Sequence, residues 1–353
     1  MKIILSVTVL FFMFSFFTLP DTILAQGFNS ITTPDGINLI AVGNSGKIYR
    51  SSNGGVTYIS FTFGAQNFNY AASLGNDVWF VGQNGNTYKT SKTNAPINIY
   101  NTGSSSNMNS IVFVNANAGF VCGDNGEVYK SINGGVNWSL SNSGISSVKL
   151  NSVSFRDANN GIVVGNNGSI FATSDGGNSW SPQSSGTTNN LLKVRSISPV
   201  NDSAVAVGEN GTLLMNSGSG WMAIASRIRT DITGLSGSNI SDIHISGGGG
   251  FIRNNRSGSD KFYNFEQNPM MANLVDIFYY DNNKGWAVSS LNSVIIYTSN
   301  GGANWSMPSG ATVGSAWVRK LTASGGIGNN LCEHPADRNT MFVTYGSTVY
   351  VSR

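Results

Sequence analysis

The chain repeats itself, and the repeat limits what it can fold into. Phe28–Gly43 (FNSITTPDGINLIAVG), Met108–Gly123 (MNSIVFVNANAGFVCG) and Leu150–Gly165 (LNSVSFRDANNGIVVG) share one pattern, and Leu274–Ser289 (LVDIFYYDNNKGWAVS) has the same 16-residue length. Each is a short apolar run, a polar turn and a second apolar run. A second half follows the first three: Gly43–Gly55 (GNSGKIYRSSNGG), Gly123–Gly135 (GDNGEVYKSINGG) and Gly165–Gly177 (GNNGSIFATSDGG). Asn-Gly dipeptides suit tight hairpin turns because both residues tolerate positive φ. The Gly-Gly pairs make the next turn, and Trp138, Trp180 and Trp305 then open a further strand. One unit is therefore four short antiparallel strands.

Anchored on the second strand, the units fall at Val42, Val81, Cys122, Val164, Val207, Ile245, Val288 and Val343. Their spacings are 39, 41, 42, 43, 38, 43 and 55 residues. An all-β repeat near 40 residues with four strands per unit is the signature of a β-propeller. Solenoids of this period are mostly helical, and no helical apolar pattern is present. Two successive apolar residues in the third strands, such as Ile48-Tyr49, Val128-Tyr129 and Ile170-Phe171, fit a strand buried on both faces. The anchors favour eight blades: 328 residues follow Ala25, which gives 41 per blade. The eighth unit stops where its third strand would turn into a fourth, so the last blade is expected to be incomplete. Seven blades with a surplus partial unit is the alternative.

Residues 1–25 read as a secretory signal peptide. Lys2 gives a positive start, Ile3 to Leu19 is almost wholly apolar, and Ile23-Leu24-Ala25 precedes a polar change at Gln26. Residues 26–353 are then one propeller domain. This predicts a secreted, periplasmic or cell-surface protein with no membrane span after cleavage. With two cysteines, Cys122 and Cys332, the chain is no disulfide scaffold. Both lie in repeated strands, in units far apart around the ring, so no disulfide is expected.

Charged residues are only 10% of the chain and the net charge is +3. That does not suit a nucleic-acid binder, which usually shows a basic cluster. It also leaves few groups for catalysis. A glycosidase needs two carboxylates about 5–10 Å apart, and the 17 acidic residues are scattered, several in repeat turns (Asp124, Asp157, Glu209, Asp281). His244 and His334 are the only histidines, and neither has a Cys or acidic partner at metal-ligand spacing. No catalytic residue, metal or cofactor is therefore expected. The one less neutral feature is four residues after the turn glycine of the third strand. Arg50, Lys89, Lys130 and Arg253 stand there, with Ala172, Met215, Tyr297 and Tyr350 in the other units. A ring of cations could attract an anionic glycan or an acidic protein loop. The competing reading is long side chains that extend to solvent at a blade edge.

The segments Ser51–Tyr58 (SSNGGVTY), Ser131–Trp138 (SINGGVNW), Ser174–Trp180 (SDGGNSW) and Ser299–Trp305 (SNGGANW) resemble the Asp-box of bacterial neuraminidase repeats. Only Asp175 keeps the acid, and Asn53, Asn133 and Asn300 replace it. The resemblance implies a structural turn rather than a catalytic group, since Asn can bond a hairpin backbone equally well. Taken with the GxxGxI turns and Gly285-Trp286-Ala287-Val288, most of residues 28–307 resembles propellers related to the photosystem II stability and assembly factor. Cys332–Arg353 is more similar to sortilin and xyloglucanase repeats. The resemblance implies the fold; the function expected is that of an exported, non-enzymatic, monomeric propeller that binds a protein partner through its face loops, since rigid blades with variable loops suit that purpose. An Asp-box glycan binder and a divergent sialidase-like hydrolase are the rivals.

Overall fold

The computed structural model describes residues 27–93, 95–142, 144–197, 203–239, 242–255, 263–264, 273–289 and 295–306, and, as strand paths alone, 318–322, 331–334, 337–345 and 348–352. The signal-peptide reading of residues 1–25 lies outside them.

The repeat folds as the turn chemistry requires. Blade one is Phe28–Thr32, Leu39–Gly43, Lys47–Ser51 and Ile59–Thr62, paired in chain order. Blade two starts at Phe68–Leu74, three at Met108–Phe113, four at Leu150–Phe155, five at Leu191–Ser196, and six at Ile232–Asn239, each with three further strands in the same order. Blade seven has Leu274–Tyr279, Gly285–Ser289 and Ile295–Thr298, with a single Tyr297–Ser306 bridge for its outer edge. The turn between second and third strands puts Asn125, Asn167 and Asn210 at φ 62°, 56° and 52°. The glycine that follows is also left-handed: at Gly168 (φ 66°) an added Cβ would strike the Thr187 carbonyl.

First strands are innermost and successive ones touch, with Leu274–Tyr279 touching Phe28–Thr32. The recurring Asn-Ser dipeptide explains how they are fastened. Asn29, Asn69, Asn109 and Asn151 donate their side-chain NH2 to the next blade's first strand, at Phe68, Met108, Leu150 and Leu191, over 2.8–2.9 Å. The serine hydroxyl one residue on accepts from the next blade's backbone: Val153 N–H to Ser110 (3.3 Å) and Val194 N–H to Ser152 (3.2 Å). Asn151→Ala, which loses bonds to Leu191 and Asn166, is expected to cost about 1–2 kcal/mol in chemical denaturation. An unchanged midpoint would mean the belt is dispensable.

Outside this belt the core is a set of seams between blades. Ile40, Val42 and Ile48 of blade one pack on Phe68, Val78, Phe80 and Tyr88 of blade two. Phe28, Ile31 and Leu39 pack on Trp286, Val288 and Ile295 of blade seven. Further out, the second-strand aromatics Trp79, Phe120 and Trp286 meet the next blade's Gly-Gly turn. Trp79 Nε1 donates to Gly134 O of blade three at 3.2 Å, and Trp286 Nε1 donates to Gly54 O of blade one at 3.2 Å. Blade seven thus treats blade one as its next neighbour.

The expectation of eight blades is corrected by that closure. The ring has seven blades, and residues 28–306 shared among seven give the same period of about 40. The unit anchored at Val343 does form a sheet, but in a different order. Its strands run Val318–Thr322, Thr348–Ser352, Asp337–Tyr345, Leu331–His334 across the sheet. The edge beside its last strand is filled by an earlier segment, so the sheet has four strands rather than three.

The register of unit six is also corrected. Ser246 pairs with Gly234 and Ile252 as Val42 pairs with Ser30 and Ile48, so Ser246 rather than Ile245 is the anchor. Gly247-Gly248-Gly249-Gly250 offers several interchangeable turn glycines, and the sequence pattern was placed one residue early. A one-residue slip moves every side chain to the other face.

Candidate functional site

The slip matters for the basic positions. Arg50, Lys89 and Lys130 are equivalent, pairing with Ile40, Trp79 and Phe120 on their second strands. In blade six that place belongs to Asn254, opposite His244, and Arg253 stands on the other face. Three cations on consecutive blades are therefore brought into register, and the fourth is not.

Each reaches toward the next blade. Arg50, 7% exposed, donates from Nη2 to Thr90 Oγ1 at 2.9 Å and lies 5.3 Å from the Phe61 ring centre. Burial pushes its pKa down. Lys89 Nζ lies 2.9 Å from Asp77, 5.0 Å from the Trp79 ring and 3.4 Å from Gly134 O of blade three. Lys130 Nζ lies over Phe120 and against Gly176 of blade four. Arg253 donates to Ser226 O at 2.9 Å.

The box turns are structural. Gly55, Gly135, Gly177 and Gly302 N–H donate to the hydroxyls of Ser51, Ser131, Thr173 and Thr298, each at 2.9 Å. The leading hydroxyl in blades four and seven is thus Thr173 and Thr298, not Ser174 and Ser299, and all four boxes are in one register. Asp175 accepts from Ser179 Oγ, from Ser179 N–H and from Thr173 Oγ1, which holds its carboxyl down to about 2. Asp157 and Asp281 accept the backbone N–H groups of their own turns. Cys122 is fully buried, and burial pushes its thiol up. His244 is buried too, stacked 3.6 Å from Tyr279 and 3.0 Å from Asp242, an acidic partner that its spacing had not suggested. Among the described residues no three His, Cys, Asp or Glu side chains gather as a metal site.

A second charged group lies at the ring axis, outside the positions that the sequence pattern singles out. At the belt position held by Ser30, Ser110 and Ser152, the other blades carry Tyr70, Lys193, Gly234 and Asp276. Lys193 of blade five crosses the ring axis. Its Nζ is 4.1 Å from the Tyr70 ring centre in blade two and 3.9 Å from Asp276 Oδ1 in blade seven. Asp276, 4% exposed, accepts from Ser30 Oγ (2.7 Å), Ile31 N–H (3.3 Å) and Ile277 N–H (3.1 Å). Gly234 of blade six lies beside it, where a Cβ would come within 3.1 Å of the Asp276 carbonyl carbon and strike Ser246. Arg195, two residues after Lys193 and so on the same face of the strand, donates from Nε to Gly237 O.

Burial pushes Asp276 up and Lys193 down, each partly offset by the other's charge. Tyr70 is pushed up by burial first and by Asp276 second, so its phenol stays protonated. The cluster thus holds two cations against one carboxylate that already has three donors. Such an arrangement can receive an anion. The signal for it in the sequence is the departure from serine at one repeat position, which shows only once the units are aligned strand by strand.

Residues 131–234 match the protein family described as photosynthesis system II assembly factor YCF48. In structure the chain is similar to a solved chain titled "YCF48 bound to D1 peptide", with a TM-score of 0.65 and 14% identity over 78% of this chain and 92% of that one. It is also similar to virginiamycin B lyase from Staphylococcus aureus, with a TM-score of 0.63 and 12% identity over 76% of this chain and 93% of that one. No curated protein matches it in sequence. At these identities the likeness shows the propeller fold alone.

Proposed function

We infer that this chain is an exported, non-catalytic propeller that holds a protein segment, and that the segment presents a carboxylate to Arg195 at the ring axis. The observation that carries this reading is the axial charge balance, Lys193 and Arg195 against a single carboxylate already engaged by Ser30, Ile31 and Ile277. The assembly-factor match over residues 131–234 and the peptide named with one solved propeller support a protein ligand. Residues 1–25, with Lys2 and the apolar run to Leu19, support export. Blades pinned by inter-blade hydrogen bonds suit a preformed binding face with variable loops.

The test is a pull-down with residues 26–353 from the envelope fraction of the source organism, at several salt concentrations. The expected result is one protein, captured in a salt-dependent way and lost with Arg195→Gln. Capture that survives Arg195→Gln but fails with Arg50→Ala plus Lys130→Ala would move the contact to the cations between the blades. Capture of no protein would overturn the reading.

A further inference from the structure

The seam between blades four and five is open where the seams before it are filled. At the seams before it, Lys89 and Lys130 extend from the third strand to the Gly-Gly turn of the next blade. At this seam the equivalent residue is Ala172, paired with Ile162 as Lys130 is with Phe120. The facing turn has also receded. In blade four Thr173 and Trp180 are seven residues apart, whereas in blade five Asn216 and Trp221 are five apart. Loss of the long side chain on one wall and of two turn residues on the other leaves a cleft of about 390 Å³. That is within the range of small-ligand sites, about 300–1,000 Å³.

The lining has a definite chemistry. Asn216 Oδ1 accepts from Gly218 and Gly220 N–H (2.8 and 3.2 Å), so the amide NH2 is what this wall offers. Across the cleft, Asn160 spends its NH2 on Asp157 (2.9 and 3.0 Å) and offers its carbonyl. Gln183 adds a third amide, and Trp221, packed on the Val164–Leu191 cluster, adds an aromatic wall. Arg156 is the one charged lining residue, and its Nε is 3.2 Å from Asp157. Opposed amide donor and acceptor groups, an indole and almost no net charge match a polyol, whose neighbouring hydroxyls each donate and accept and whose ring C–H faces stack on indole.

We propose that this cleft binds a neutral saccharide, with room for one or two sugar rings, independently of the axial cations. The full chain would be titrated calorimetrically with neutral gluco-, xylo-, manno- and chito-oligosaccharides, and with oligogalacturonate as the acidic comparison. At least one neutral series should bind. Ala172→Lys, which restores the residue of blade three, should weaken it at least tenfold with an unchanged melting curve, and Trp221→Ala should weaken it by at least as much. Should Ala172→Lys fail to fold, Gln183→Ala with Asn160→Ala, both in surface segments, gives the same reading. Binding of no neutral saccharide, binding of oligogalacturonate alone, or neutral binding indifferent to Ala172→Lys and to the amide pair would each overturn the proposal. Arg195→Gln should leave saccharide binding intact, which separates this site from the axial one.

Discussion

Asp276→Ala is expected to destabilise the folded chain by about 3 kcal/mol, the lower end of the about 3–5 kcal/mol seen when one partner of a buried ion pair is removed. The lower end applies because the Lys193 side chain remains 16% exposed. The substitution leaves Lys193 without its carboxylate, and it leaves the Ile31 N–H and Ser30 hydroxyl without an acceptor at the junction of blades seven and one. Lys193→Met alone should cost less, because Asp276 keeps three hydrogen-bond donors. Lys193→Met with Asp276→Ser restores the residue that blades one, three and four carry there, and should recover most of the loss. Urea denaturation of the four chains checks the series. A cost below about 1 kcal/mol for Asp276→Ala would mean that the pair is not held as described.

Trp286→Ala should cost about 3–5 kcal/mol, as for other buried tryptophans. Trp286 is 2% exposed, lies in the cluster that joins blade seven to Phe28, Ile31 and Leu39 of blade one, and donates to Gly54 O. Trp79→Ala, at the equivalent place between blades two and three, supplies the scale. The two losses should agree within about 1 kcal/mol. If blade seven did not close on blade one, Trp286 would have no partner wall and its removal would be far milder than that of Trp79.

The strand pattern and the order within each blade are legible in the repeat, since each strand and turn is written locally in alternating apolar runs, Asn-Gly and Gly-Gly. What is not local was misplaced. The count of eight came from a genuine further repeat around Val343, but only contacts such as Trp286 with Gly54 decide which unit closes the ring. The run Gly247–Gly250 hides a one-residue register, which exchanges the places of Arg253 and Asn254. The Asn-Ser dipeptide was visible in three units, yet its role as a belt depends on the distance between blades. Lys193, Tyr70 and Asp276 escaped notice because they lie on three blades and meet only across the axis. The cleft at Ala172 was present in the sequence as the smallest residue among the equivalent third-strand positions, but its meaning required the shortened turn opposite.

Calorimetry of residues 27–353 beside residues 27–306 tests ring closure most directly. If blade seven docks on blade one, the shorter chain keeps the whole ring and should unfold in one cooperative transition at the same temperature as the propeller transition of the longer chain. Loss of that transition, or a shorter chain that melts many degrees earlier, would mean that the last sheet is part of the ring, and seven-fold closure would be wrong.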